Sequence, residues 1–160
     1  ELDIECSEEV IQKSIANLYQ NTGYQKRMEI IQENPKIILD VSHNKEGIAQ
    51  TMKSVHKQCK GRVYCILGST IERDIDADFI KLFKNTTLYL CTFDNKRSKS
   101  KKDWEVINTI CETEFPIETN VNITINHLKE IMGSEDLLIV TGSFFLLSDL
   151  NLNQNTKHSL

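Results

Sequence analysis

Four short apolar runs, each followed by a stretch with helical spacing, constrain the fold of this chain more than any other feature. The runs are residues 37–39, 63–68, 87–93 and 137–141. Each is almost continuously apolar or β-branched, as is typical of strands that are buried on both faces. Strands that alternate with helices in this way predict an α/β fold, here a doubly wound, mostly parallel sheet with helices on both faces. The pattern leaves the order of the strands open.

Helical spacing extends over six segments: residues 7–19, 45–58, 75–83, 104–111, 122–132 and 144–150. We expect Ser42 or Asn44 to cap the second of them, because both side chains can accept a hydrogen bond from a helix N-terminus. Residues 24–34 are interpreted as a polar connection, and residues 114–121 as a short strand or an extended connection. The Asn-rich residues 151–160 are expected to fray.

Composition limits the partners and the setting. The chain has 160 residues, enough for one domain with its own core, and because it begins with Glu1 rather than Met we expect a piece of a longer protein. Its net charge of −4 disfavours nucleic acid or an anionic membrane surface as the main partner. We expect neither a membrane span nor a secretory leader. The five cysteines have no disulfide or metal-binding spacing, so a reduced, cytoplasmic protein without its own metal site is expected.

Polar side chains recur at one structural position, directly after each predicted strand. The four sets are Asp40, Ser42 and His43; Gly68, Ser69 and Thr70; Asp94, Asn95 and Arg97; and Thr141, Gly142 and Ser143. Because parallel strands end at the same edge of a sheet, these groups should meet at the carboxyl edge, where ligands of such folds bind. Gly142 and Ser143 either offer backbone N–H groups to an anion or form an ordinary turn and helix cap.

Motifs of a self-sufficient active site are absent from the sequence. It has no G-x-x-x-x-G-K-[ST] phosphate loop, no G-x-G-x-x-G fingerprint and no G-x-S-x-G nucleophile elbow. We therefore assign no catalytic residue to this chain, and a nucleotide bound to it would need a phosphate loop from elsewhere. The basic segment 96–102 lacks interleaved aromatic residues and is interpreted as a solvated loop. Only Arg97 is kept as a candidate contact for an anionic ligand.

An ordered series of short motifs resembles a known family. The series is Arg27-Met28-Glu29, Ile38-Leu39-Asp40-Val41-Ser42-His43-Asn44, Gly68 followed by Glu72-Arg73-Asp74-Ile75, Asn95-x-Arg97, and Val140-Thr141-Gly142-Ser143-Phe144. It resembles the C-terminal domain of folylpolyglutamate synthase, including the bifunctional bacterial form that is also dihydrofolate synthase, within the Mur ligase superfamily. The resemblance covers residues 22–150. Residues 1–21 would then be a helix and linker from the end of a preceding domain.

The resemblance implies an ATP-dependent ligase that joins L-glutamate to dihydropteroate or to a folate through an acyl phosphate. The phosphate loop, the Mg²⁺ ligands and most of the pterin site would lie in an N-terminal ATPase domain, with which this domain closes over ATP and glutamate. This chain alone would be inactive. By the same resemblance, Arg27 would contact the ATP phosphates and Asp40 the ribose hydroxyls. His43 and Ser143 would lie near the incoming glutamate.

Two departures from the family pattern and two alternative functions accompany this interpretation. Lys26 stands where the family usually has Gly, and Lys45 where it usually has Pro, but neither position carries a proposed role.

One alternative function is that of the equivalent domain of a Mur peptidoglycan ligase, which would act on a nucleotide-sugar peptide. The other is a stand-alone binding or receiver-like module with Asp40 as phospho-acceptor. Receiver domains normally have further acidic residues at the end of the first strand and a Lys on a late strand, and this sequence shows neither pairing. The sequence does not distinguish dihydrofolate synthase, folylpolyglutamate synthase and an enzyme with both activities.

Overall fold

Six strands form one sheet in the computed structural model, which describes residues 27–151 of the chain. The strands are β1 Glu29–Glu33, β2 Lys36–Leu39, β3 Val63–Gly68, β4 Thr86–Cys91, β5 Ile117–Glu118 and β6 Leu137–Thr141. Their order across the sheet is β1-β2-β6-β3-β4-β5. All neighbouring pairs are parallel except β1 and β2. The helix expected over residues 7–19 and most of the tail expected to fray lie outside the described residues.

Helices follow the strands and cover both faces of the sheet. They are α1 Lys45–Gln58, α2 Ala77–Ile80, α3 Lys101–Ile110, α4 Val121–Ile131 and α5 Phe144–Ser148, with a 3₁₀ turn over Lys81–Phe83 after α2. Alternate residues of one strand point into separate cores, because strand side chains have a period of two. Ile38 and Ile139 pack with α1, α2 and α3, whereas Ile37 and Leu138 pack with α4 and α5. The predicted doubly wound, mostly parallel sheet is therefore confirmed.

The structure overturns one prediction about the elements. Residues 29–33 form an antiparallel edge strand on β2, whereas the sequence predicted a polar connection over residues 24–34. Every residue of β1 is exposed or half-buried. An edge strand that is only partly buried needs no continuous apolar run and leaves little trace in the sequence.

Capping residues set helix starts that differ from the predicted ones. Helix α2 begins at Ala77 rather than at residue 75, because Asp76 accepts a hydrogen bond from the N–H of Phe79 at 2.7 Å. Helix α3 begins before residue 104, because Ser100 and Asp103 cap it reciprocally. Asn44 rather than Ser42 caps α1, since its Oδ1 accepts from the N–H of Gly47 at 2.8 Å. The segment 114–121 contains the two-residue strand β5.

Candidate functional site

The loops that follow the parallel strands meet at the carboxyl edge of the sheet. The loop after β6 contacts the loop after β2, where the N–H of Gly142 donates to the carbonyl oxygen of Ser42 at 3.0 Å. The loop after β4 contacts the loop after β3, where the N–H of Lys99 donates to the carbonyl oxygen of Ser69 at 2.9 Å. The predicted meeting of these polar loops at one edge is confirmed.

Asp40 lies at the end of β2 and is only 3% exposed. Its Oδ2 accepts a hydrogen bond from the N–H of Met28 at 3.0 Å. Its Oδ1 accepts from the N–H of Ser42 at 2.9 Å and from the hydroxyl of Thr51 at 3.0 Å. These three donors offset the cost of burying a carboxylate and join the start of β1, the loop after β2 and helix α1. These bonds give Asp40 a structural role. Its contact with ribose stays a prediction.

Arg27 and His43 are exposed residues on either side of this network. Arg27 directly precedes Met28, whose left-handed φ of 48° turns the chain where its N–H meets Asp40. The Nδ1 of His43 lies 2.9 Å from the carbonyl oxygen of Val41. Because a carbonyl oxygen can only accept, Nδ1 carries the proton, and Nε2 is left for a further partner.

A cleft opens beside His43, between the loop after β2 and the loop after β3. Its walls include His43, Ser69, Arg73 and Phe79. In the part of the chain that the structure describes, no hydrogen bond or ion pair engages the guanidinium of Arg73. Partial burial, followed by the nearby charge of Arg97, lowers the pKa of Arg73, but a guanidinium stays protonated at neutral pH. Asp74 and Asp76 also line the cleft, so Arg73 is a cation that lies near carboxylates without being bound to one of them.

Sequence reasoning assigned no role to Arg73, although it is part of the motif series. The feature of the sequence that could have indicated Arg73 is its position a few residues after the buried strand β3, where polar side chains are expected to face a ligand. That signal singled out Ser69 and Thr70 instead, because they follow the strand directly. The structure turns the loop so that Ser69 and Thr70 are buried at 4% and 5% exposure, whereas Arg73 is half-buried at the cleft.

Ser143 follows β6 and caps the five-residue helix α5, where its Oγ accepts from the N–H of Phe145 at 3.2 Å. The residue is 3% exposed. Among the described residues, no acceptor takes its hydroxyl proton. Gly142 brings Ser143 against the loop after β2, in a conformation with φ of 98° that favours glycine. The role of Ser143 at glutamate stays a prediction.

Arg97 is held by side chains of the chain itself. Its Nε donates to Oε1 of Glu72 at 2.7 Å, and its guanidinium lies over the ring of Phe145, 5.6 Å from the centroid. The hydrogen bond from Arg97 is the main cause that lowers the pKa of Glu72 to about 2. Arg97 does not line the cleft beside His43. The structure therefore places the guanidinium of Arg97 against a carboxylate of the protein, near Arg73 but outside the lining of the cleft.

Residues 27–151 contain no group of three or more His, Cys, Asp or Glu side chains placed to hold a metal ion. Within the same range, no helix combines the length and the apolar character that crossing a membrane requires.

An open, mostly parallel sheet with polar loops gathered at its carboxyl edge defines an α/β domain of the doubly wound class. Within that class, the chain belongs to the family described as Mur ligase, glutamate ligase domain, whose model matches residues 26–144. The resemblance to the C-terminal domain of folylpolyglutamate synthase is confirmed at this level.

Relatives of known name share this domain. A dihydrofolate synthase/folylpolyglutamate synthase of Bacillus subtilis (strain 168) is 22% identical over 126 residues, which cover 78% of this chain and 29% of that protein. The chain thus spans less than a third of the length of this relative. A solved bifunctional folylpolyglutamate synthase/dihydrofolate synthase from Yersinia pestis, complexed with AMPPNP and Mn ion, matches with a TM-score of 0.71 and 20% identity, over 91% of this chain and 34% of that one.

A Mycobacterium tuberculosis folylpolyglutamate synthase complexed with ADP and AMPPCP matches with a TM-score of 0.70 and 11% identity, again over 91% of this chain and 34% of that one. At such low identities the structural matches establish the fold alone. They agree with the topology described above.

Proposed function

We propose that this domain forms part of the nucleotide and glutamate site of an ATP-dependent ligase that adds L-glutamate to dihydropteroate or to a folate. The observation that carries the proposal is the cleft at the carboxyl edge, which His43 and Arg73 line, next to the Asp40 network that fixes Met28 and so the start of the segment with Arg27. The names of the relatives support the substrate class, and the nucleotides in their structures support ATP.

In the proposed reaction, ATP phosphorylates a carboxylate of the pteroate or folate substrate. The amine of glutamate then attacks the acyl phosphate, an amide bond forms and phosphate leaves. Arg27 would contact the ATP phosphates, and Asp40 would fix the segment that bears Arg27 and accept from the ribose hydroxyls. Arg73, His43 and Ser143 would bind the incoming glutamate, with Arg73 paired to one of its carboxylates.

The remaining parts of the site are proposed to lie in an N-terminal ATPase domain, because this chain spans only 29% of its Bacillus subtilis relative and has no phosphate loop. Bound Mg²⁺ would polarise the transferred phosphoryl group. Its ligands are assigned to that other domain, since the residues from 27 to 151 offer no suitable cluster. This chain alone should therefore be inactive and located with its substrates in the cytoplasm.

The test uses the complete protein that its gene encodes, supplied with ATP, Mg²⁺ and labelled L-glutamate. We expect transfer of label to dihydropteroate or tetrahydrofolate, and Arg27→Ala should lower kcat/KM by about 10²-fold or more. The matched control is Lys57→Ala, which removes an exposed cation of α1 and should leave the rate unchanged. Ligation to a muramyl peptide alone would favour the peptidoglycan alternative, and a near wild-type rate for Arg27→Ala would reject the role of Arg27.

A further inference from the structure

We propose that Arg97 is a positioning residue, which holds Glu72 and thereby leaves Arg73 for a carboxylate of the incoming substrate. This role rests on the proposed function, in which Arg73 binds a carboxylate of glutamate in the cleft beside His43. It differs from the role that the sequence predicts for Arg97, which is direct contact with an anionic ligand.

Backbone contacts connect the loop after β3 with the loop after β4. The loop after β3 carries Glu72 and Arg73, and the loop after β4 carries Arg97. Thr70 and Ser98 form an isolated antiparallel bridge between these loops, and the N–H of Ile71 donates to the carbonyl oxygen of Arg97 at 2.8 Å. The backbone thus fixes Arg97 beside the residues whose charges it affects.

Three charged side chains lie close together on these two loops: Arg97, Glu72 and Arg73. Arg97 donates to Glu72 at 2.7 Å and lies over the ring of Phe145, so two different contacts orient its guanidinium. Glu72 is the neighbour of Arg73 in the chain, and the two residues interact electrostatically. Without Arg97, the carboxylate of Glu72 would lose its hydrogen-bonded cation, and Arg73, its neighbour in the chain, is a cation with which it could pair instead.

The ion pair of Arg97 with Glu72 contributes little to the stability of the fold. Arg97 and Glu72 are 48% and 50% exposed, and an ion pair so exposed stabilises a fold little. Pairing of Glu72 with Arg73 would instead compete directly with binding of a substrate carboxylate. Loss of Arg97 should therefore weaken glutamate binding more than it weakens the fold.

The experiment compares variants of the complete protein in the glutamate ligation assay. Arg97→Ala should raise the KM for glutamate by about tenfold, the loss that accompanies one weakened charge-assisted hydrogen bond. The kcat and the KM for ATP should stay within about twofold of wild type, because neither depends on the pairing of Arg73. The double variant Arg97→Ala with Glu72→Gln should return the KM for glutamate to within about threefold of wild type, since the competing carboxylate is gone.

The control is Lys60→Ala, which removes an exposed cation paired with Glu135 at 4.0 Å near the opposite edge of the sheet. It should leave every kinetic constant unchanged. An unchanged KM for glutamate in Arg97→Ala would overturn the inference, and so would a defect that persists in the double variant, which would indicate direct ligand contact. A wild-type protein that does not ligate glutamate at all would overturn the proposed function together with this inference.

Discussion

Asp40 shows how one buried carboxylate organises the candidate site. Sequence reasoning placed a costly charge at the end of a buried strand and inferred that it needs a partner. The structure supplies three partners, Met28, Ser42 and Thr51, and two of them adjoin the predicted ligand residues Arg27 and His43. The need for partners was thus predictable, but their identity was not, because Met28 and Thr51 are distant from Asp40 in the chain.

Replacing Asp40 by Asn should destabilise this domain. An amide is uncharged and has one acceptor oxygen in place of two, so at least one of the three donors would face an N–H group. We expect the free energy of unfolding of this chain to fall by about 2–4 kcal/mol, measured by urea titration. The control is Asp94→Asn at the exposed end of the loop after β4, which should change it by no more than about 0.5 kcal/mol. Equal effects of the two substitutions would show that Asp40 holds no network.

At the scale of elements, apolar runs were sufficient to predict the buried strands and helix α1. Strands β3 and β6 are buried at every residue, so their sequences carry a continuous signal. Strand β1 carries no such signal, because it is an edge strand paired only with β2 and none of its residues is fully buried. The pairing of Glu72 with Arg97 was also not predictable, because a charge pattern in the sequence does not show which of two nearby cations a carboxylate binds.

The turn between β6 and α5 depends on Gly142, which has φ of 98°. A Cβ at this position would collide with the carbonyl oxygen of Gly68 and with the side chain of Leu67. Gly142→Ala should therefore lower the free energy of unfolding by more than about 2 kcal/mol, measured by urea titration. Gly133→Ala is the matched control, because a Cβ there would meet nothing closer than 3.7 Å, and it should change stability by less than about 1 kcal/mol. A neutral Gly142→Ala would contradict the geometry of this turn.

At the scale of the whole molecule, the insertion of β6 between β2 and β3 assembles the site. The last strand of the described chain thereby brings Gly142 and Ser143 against the loop that bears Ser42 and His43. Local periodicity contains no information on strand order, so this proximity could be expected only in general terms, from the shared edge of a parallel sheet. The order also places two buried cysteines, Cys65 and Cys91, in the neighbouring inner strands β3 and β4.

These buried thiols predict how the molecule responds to alkali. Burial raises the pKa of Cys91 to about 12 and also raises the pKa of Cys65. In the unfolded chain both thiols ionise near their ordinary pKa of about 8.5. The stability that the neutral buried thiols provide is thus fully present below that pH, and it is lost as the pH rises towards the values of the folded state. The free energy of unfolding should fall between about pH 9 and 12, and less so after Cys65→Ala and Cys91→Ala are combined.

The same burial predicts the order in which the cysteines react. Cys59 and Cys111 are half-buried, whereas Cys65 and Cys91 are 0% exposed. A thiolate-directed reagent at pH 8 should therefore modify Cys59 and Cys111 in the folded protein. Cys65 and Cys91 should react only when the sheet opens, at rates that increase with urea in parallel with global unfolding. Peptide mapping by mass spectrometry measures each site separately, and labelling of Cys65 as fast as Cys59 without urea would show that the centre of the sheet opens independently of the rest.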